Sequence, residues 1–337
     1  MTAVRSIPTE QEILGWFSTL SNWGRWGPDD ERGTLNLITP AKRLQAAGLV
    51  RDGVVISCAR TIGYEPAADN LAPARHFMLA SGEGDAPVEV GRTGATDAFL
   101  LQPHGITMTH LDAPAHSHVR TDPSKPWTLY NGKSARLVTT AQGAAVGSIE
   151  LAGGGIVSRG VLLDIPAVRG VPWLEGSDPV LPEDLDAAEA AQGVRVEPGD
   201  ILFVRTGFPK RRVELGPRPP TEGICALQPA CLPWLREHDV AVLGADTGND
   251  VMPSQYPAIG PAGPWRGHGR HRPLDPRQPG LRGACADVRS TATLGIPGRH
   301  RSAETRQWHG LPGKSARDAV TVMGRMVKGG EIYRDLR

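Results

Sequence analysis

A mixed α/β or α+β fold is what this chain predicts, on three observations. Short apolar runs bounded by turn residues recur at 160–165, 201–204 and 240–243, as buried strands do. Segments with helix-starting and helix-stopping residues lie among them. Glycine and proline are abundant, 41 and 30 of 337 residues, which suits many short strands joined by turns.

Taken in order, Thr39-Pro40 opens a helix, with Thr39 as the cap and Pro40 pre-set at the first position. That helix is predicted to reach Ala47 and stop at Gly48. Val54-Val55-Ile56 reads as a buried strand. Residues 65–97 are polar, glycine-bearing and aperiodic, and are expected to form an excursion or lid. Phe99-Leu100-Leu101 reads as a strand leading into a histidine-rich segment. The runs at 160–165 and 201–204 are core strands. Between them 182–191 is a helix, with acidic residues in its first turn and Gly193 after its end. The run at 240–243 is another core strand.

Composition excludes several classes. A net charge of +1 gives no electrostatic reason to bind nucleic acid or a membrane surface. No apolar run approaches the ~20 residues of a spanning helix, and the first residues lack a signal peptide's apolar core. Cys58, Cys225, Cys231 and Cys285 form no C-x-x-C pair, so free thiols in a cytoplasmic protein are the expectation.

The chemistry concentrates in His104-Gly105-Ile106-Thr107-Met108-Thr109-His110-Leu111-Asp112-Ala113-Pro114-Ala115-His116-Ser117-His118. Four of the chain's ten histidines and one carboxylate fall within this segment. Imidazole nitrogen and carboxylate oxygen are ligands for Zn²⁺ or Mn²⁺. Pro114 disfavours a continuous helix. In an extended segment His110 and Asp112, two apart, point to one face and could touch one ion, or Asp112 could bridge two. A histidine-rich surface loop has the same composition.

The stretch from Thr109 to His116 resembles the H-x-G-T-H-x-D-x-P-x-H signature of the cyclase family, which includes bacterial kynurenine formamidase and isatin hydrolase. Further resemblance lies in Asn22-Trp23-Gly24-Arg25-Trp26-Gly27, in 33–39, in 159–164, in 199–207 and in 242–251, spanning roughly 20 to 260. It implies a swivelling β/β/α fold around a barrel-like central sheet. It also implies a metal-dependent amidohydrolase acting on C–N bonds, with metal ligands His104, His110 and Asp112 and with His116 as proton donor and acceptor. His110, Asp112 and His116 match the signature residue for residue. The signature's first histidine falls on Ile106 here, and His104, in a His-Gly step, takes its role. The substrate implied is a small amide, above all N-formyl-L-kynurenine, cleaved to kynurenine and formate in tryptophan breakdown. Two alternatives are another cyclic amide or lactone, as in isatin hydrolase, and a metal-binding protein without turnover. A homo-oligomer is a further expectation. Among other polar groups, His118 reads as a loop residue and Arg205 as an ion-pair partner. Asp246 and Asp250 read as turn formers, and Trp23 and Trp26 as packing groups at a core or rim.

The tail reads differently. Residues 261–312 hold nine arginines against three acidic residues, and only six of Leu, Ile, Val, Met and Phe, without period. Such a segment buries too little apolar surface to offset its ordering entropy. The chain is accordingly divided into a cyclase-like domain, 1–260, and an anomalous basic tail, 261–337, expected to be irregular. The tail looks out of frame. Read one base later, codons for 293–306 permit W-E-F and A-P-L-R-L, and those for 307–315 permit G-T-G-S-P-V-N-P, in the order typical of the family's closing segments. One extra base near Gly260 accounts for the run, and would remove the family's second-metal ligands, leaving the chain unstable or poorly active.

Overall fold

The computed structural model describes residues 7–83, 91, 93–176, 178–256, 291–293 and 319–323. The remainder of the tail, with Cys285 and His268, His271, His300 and His309, lies outside the described residues, as does the out-of-frame reading built on it.

Two helices precede the first strand. Helix α1 (Glu10–Thr19) is closed by a capping box in which Glu12 N donates to Thr9 Oγ1 (3.2 Å) and Thr9 N donates to Glu12 Oε2 (2.7 Å). Helix α2 (Pro40–Ala47) starts as expected, the Thr39 hydroxyl accepting from Lys42 N. Strands β1 (Arg75–Ala80) and β2 (Thr96–Leu100) form an antiparallel hairpin, so the expected excursion over 65–97 contains regular structure. A second small hairpin joins β3 (Val138–Thr139) to β4 (Gly143–Ala144).

The centre of the fold is a parallel run. Strand β5 (Ile156–Asp164) is followed by α3 (Ile165–Arg169), β6 (Pro179–Val180) and α4 (Pro182–Gln192). Helix α4 ends on Gly193 in the left-handed region, φ 62°. Strand β7 (Ile201–Arg205) pairs parallel with β5, and is followed by α5 (Phe208–Leu215), β8 (Ala226–Leu227) and α6 (Cys231–Glu237). Strand β9 (Val242–Ala245) pairs parallel with β7. Two short strands of the tail lie among the described residues: β10 (Thr291–Thr293) pairs parallel with β9, and β11 (Ala319–Met323) antiparallel with β5.

The sheet runs in the order β10-β9-β7-β5-β11, and its strands β5, β7 and β9 are buried on both faces. Alternation assigns the sides. Val161, Leu163, Leu202, Val204 and Leu243 meet α4 and α6 through Leu185, Leu232, Trp234 and Leu235. Ile201, Phe203 and Val242 face the other way, onto Leu35, Ile38 and Leu111. A parallel sheet covered on both sides reads as continuous apolar runs, which is why 160–165 and 201–204 show no polar alternation. At its edge, fully buried Asp200 accepts from Arg159 Nε (3.0 Å) and pairs with Lys42 Nζ (2.6 Å).

Two expectations fail. Among the described residues the main sheet is open rather than barrel-like: β10 and β11 stand at opposite edges and no pairing closes them on each other. Val54, Val55 and Ile56 form no strand and are exposed, Val55 by 93%. Their apolar run has no pairing partner among the described residues.

Candidate metal centre

The histidine segment leaves β2 and crosses the edge of the second core face. Leu111 packs against that face, while its neighbours His110 and Asp112 turn the other way, as the two-residue period of extended chain requires. Pro114 then opens a single 3₁₀ turn, Pro114–His116, which places His116 back over Asp112. That turn rests on Gly147: Ala115 N donates to Gly147 O (2.9 Å), and a Cβ on Gly147 would meet Ala115 N at 3.2 Å. Gly147 has φ +60°, and its own N donates to Glu31 Oε2 (2.7 Å).

Asp112 is the hub. His104 Nδ1 lies 2.9 Å and His110 Nε2 3.6 Å from Asp112 Oδ1, while His116 Nε2 lies 3.7 Å from Oδ2. The His104 and His116 rings stack, centroids 4.3 Å apart, and His110 meets His104 edge-on at 5.4 Å. His110 is buried, with 6% of its side chain exposed, whereas His104 is 43% exposed, so the cluster opens on the His104 side. Burial alone raises the Asp112 carboxyl. The hydrogen bond from His104 and the fields of His116, His110 and His104 outweigh it and bring the group down to about 2. Asp112 is therefore an anion at neutral pH.

The donor set fits a divalent cation. One nitrogen each from His104 and His110 and one oxygen of Asp112 lie within 4.8 Å of one another. Ligands ~2.1 Å from one ion stand roughly 3–4 Å apart, and 2.9 and 3.6 Å are close to that spacing. The His110 tautomer also suits the role. Its Nδ1 is 2.9 Å from Met108 O, so that nitrogen carries the proton and Nε2 presents its lone pair toward Asp112. His116 is not one of the three converging donors and addresses the other carboxylate oxygen.

The loop between His104 and His110 is held by residues that the sequence did not single out. Arg60 Nη1 donates to Ile106 O (2.6 Å), Arg60 N donates to Thr109 Oγ1 (2.9 Å), and Thr107 Oγ1 donates to Asn70 Oδ1 (3.4 Å). These contacts span 37 to 49 residues of chain, so no local spacing marks them.

The family model described as Putative cyclase matches residues 75–249, which run from the first residue of β1 through the histidine cluster and past β9. The chain belongs to this cyclase family. A crystal structure described as that of a novel cyclase is 29% identical, covering 68% of this chain and 76% of its own, with a TM-score of 0.57. An isatin hydrolase bound to the product analogue thioisatinate is 15% identical over 72% of this chain and 79% of its own, with a TM-score of 0.42. Among curated proteins nothing matches.

Within this cyclase chain, Asp246 and Arg205 have structural partners. Asp246 accepts from Thr206 N (2.8 Å), Thr206 Oγ1 (2.6 Å) and Gly207 N (2.8 Å), tying the end of β9 to the end of β7. Its burial raises the carboxyl, against the lowering effect of those hydrogen bonds and of Arg205. Arg205 pairs with Asp164 at 2.7 Å. His118 is half-buried, and Asp250 sits in an isolated bridge with Leu227. Trp23 lies against Gly132, and Arg25 covers Trp26 at 4.9 Å. Burial raises the thiols of Cys225, to about 11, and of Cys231, so neither is a nucleophile at neutral pH.

Proposed function

We infer that this chain is a metal-dependent hydrolase of a small amide, with N-formyl-L-kynurenine as the substrate and kynurenine and formate as the products. The observation that carries the reading is the convergence of three imidazoles on one ionised carboxylate at the opening of the fold. His104, His110 and Asp112 are the residues that would hold Zn²⁺ or Mn²⁺. When bound, such a cation brings the pKa of water toward ~7 and polarises a carbonyl.

The chain's own groups supply the rest. The proton on His110 Nδ1 is committed to Met108 O, which keeps the ring oriented and Nε2 available. His104 Nδ1 stands 2.9 Å from Asp112 Oδ1, and that nitrogen must carry a lone pair, with any ring proton on Nε2, to act as a ligand there. His116 Nε2, beside the other oxygen of Asp112, is placed to take a proton from water and pass it to the leaving nitrogen, work that imidazole does near neutral pH. Asp112 orients that ring.

The test is hydrolysis of an N-formyl arylamine by the purified chain loaded with Zn²⁺ or Mn²⁺. His116→Ala is expected to lower kcat by about 10²–10⁴-fold with the bound metal retained. Full turnover by His116→Ala, or an inert wild type with its metal in place, contradicts the proposal.

A further inference from the structure

Building on the hydrolase reading, in which His116 moves the proton, we propose that Glu31 is a positioning residue for that imidazole, delivered by a strap formed by residues 24–33. His116 owes its place over Asp112 to the turn Pro114–His116. Two hydrogen bonds of this turn are internal, His116 N to Ala113 O (2.9 Å) and Ser117 N to Pro114 O (3.2 Å), and they set its shape rather than its location. Location comes from Gly147, whose O accepts from Ala115 N (2.9 Å). The fit is close: a Cβ on Gly147 would stand 3.4 Å from Pro114 Cβ as well as 3.2 Å from Ala115 N. Gly147 has no side chain with which to anchor itself. Its anchor is Glu31, 116 residues away in sequence, whose Oε2 accepts from Gly147 N (2.7 Å). The Glu31 carboxylate makes no ion pair among the described residues, so its charge serves this one backbone amide, and charge-assisted hydrogen bonds are the strong ones.

A long acidic side chain fixes a distant loop only if its own backbone is fixed, and this one is. Asp30 Oδ2 accepts from Gly33 N and from Tyr130 OH, both at 2.9 Å. Asn131 ties the strap at three further points: its Oδ1 accepts from Gly24 N (2.7 Å), and its Nδ2 donates to Gly27 O (2.9 Å) and Asp30 O (3.0 Å). Asn131 makes these bonds at φ 60°, ψ 26°. That left-handed conformation costs a residue other than glycine and persists where the surroundings dictate it. Glu31 itself is half-buried, so water can enter the space an alanine would leave and satisfy Gly147 N. Overall stability then changes little, while the turn under His116 loses its fixed reference. Displacing a reacting group by roughly 1 Å costs on the order of 10²-fold in rate.

The experiment compares the full-length, Zn²⁺-loaded protein with Glu31→Ala, Glu31→Gln and Asp29→Ala. Glutamine keeps an acceptor oxygen at the same reach. The Asp29 carboxylate, on the same strap, is 98% exposed and pairs with Lys133 at 3.4 Å, away from Gly147. Amide hydrogen exchange over 113–118 needs no substrate. It is expected to quicken by about 10-fold in Glu31→Ala with 201–205 unchanged, and to stay at the wild-type rate in the other two variants. With an N-formyl arylamine, Glu31→Ala is expected to lower kcat by about 10- to 10²-fold while KM and metal content stay within about 2-fold, and Glu31→Gln to restore most of the loss. Unchanged exchange over 113–118 overturns the proposal whatever the activity. A loss confined to KM, a loss that Glu31→Gln does not restore or that Asp29→Ala reproduces, or a Glu31→Ala protein that fails to fold overturns it as well. An inert wild type with its ion in place contradicts the hydrolase reading instead, and the exchange measurement tells that failure from failure of the strap.

Discussion

The β5–β7–β9 sheet and the β1–β2 hairpin are made of the same kinds of residue and have opposite fates. Leu163, Ile201, Leu202 and Leu243 are fully buried, whereas Leu79, Leu100 and Phe77 are more than half exposed. Both regions carry apolar residues on two faces, though the hairpin mixes them with Arg75, His76 and Asp97. The difference lies in what covers them: α4 and α6 on one side of the sheet and the Leu35–Ile38–Leu111 group on the other, with no comparable cover over the hairpin among the described residues. Apolar sequence thus reports that a surface needs burying, and leaves open whether the cover comes from the same chain.

The sharpest way to break this comparison is truncation in each region. Leu202→Ala should lower unfolding free energy by about 3 kcal/mol through lost burial and a cavity, whereas Leu79→Ala should change it by less than ~0.5 kcal/mol. Urea titrations of the two variants compare them directly. Equal losses would mean that the hairpin belongs to the cooperative core.

A smaller effect is expected where the two regions meet. Arg60 holds Ile106 and Thr109 between the hairpin and the cluster. Arg60→Met should weaken divalent-metal affinity by about 10-fold or more, as loss of groups that orient ligands does, with the sheet unaffected. Competition with a zinc chelator measures the affinity and circular dichroism the fold. Unaltered affinity would separate Arg60 from the site.

The smallest expected effect is electrostatic. The hydrogen bond from Arg25 holds the Asp239 carboxyl below its ordinary range, against its partial burial. A depressed carboxyl contributes stability that is complete above about pH 4 and is lost as pH falls through its folded value. For a partly exposed pair this is ~0.5 kcal/mol or less. Asp239→Asn should therefore differ from wild type at pH 7 and converge with it as pH falls through the carboxyl's lowered folded value. A gap that widens in acid would reverse the sign.

The sequence carried the sheet better than its surroundings. The runs at 160–165 and 201–204 and the caps Thr39 and Gly193 are local signals, and β5, β7, α2 and α4 formed where those signals stood. Helix α1 has a local signal of its own in Thr9-Glu10-Gln11-Glu12, a capping box. Val54–Val55–Ile56 misled because a strand depends on a partner elsewhere in the chain. At the site, the two-residue spacing of His110 and Asp112 was enough to put both on one face. Placing His104 beside them depends on the path of 105–109, held by Arg60 and Asn70, and spacing carries no trace of that. The 3₁₀ turn that brings His116 back likewise rests on Gly147 and Glu31 from distant segments.

The central claim is that His104, His110 and Asp112 share one divalent cation. Elemental analysis of the full-length protein after dialysis against trace Zn²⁺ or Mn²⁺ addresses it most directly, with Asp112→Ala alongside. One ion per wild-type chain and none in Asp112→Ala is the predicted result. A wild type that retains no ion, or an Asp112→Ala variant that binds as much, contradicts it.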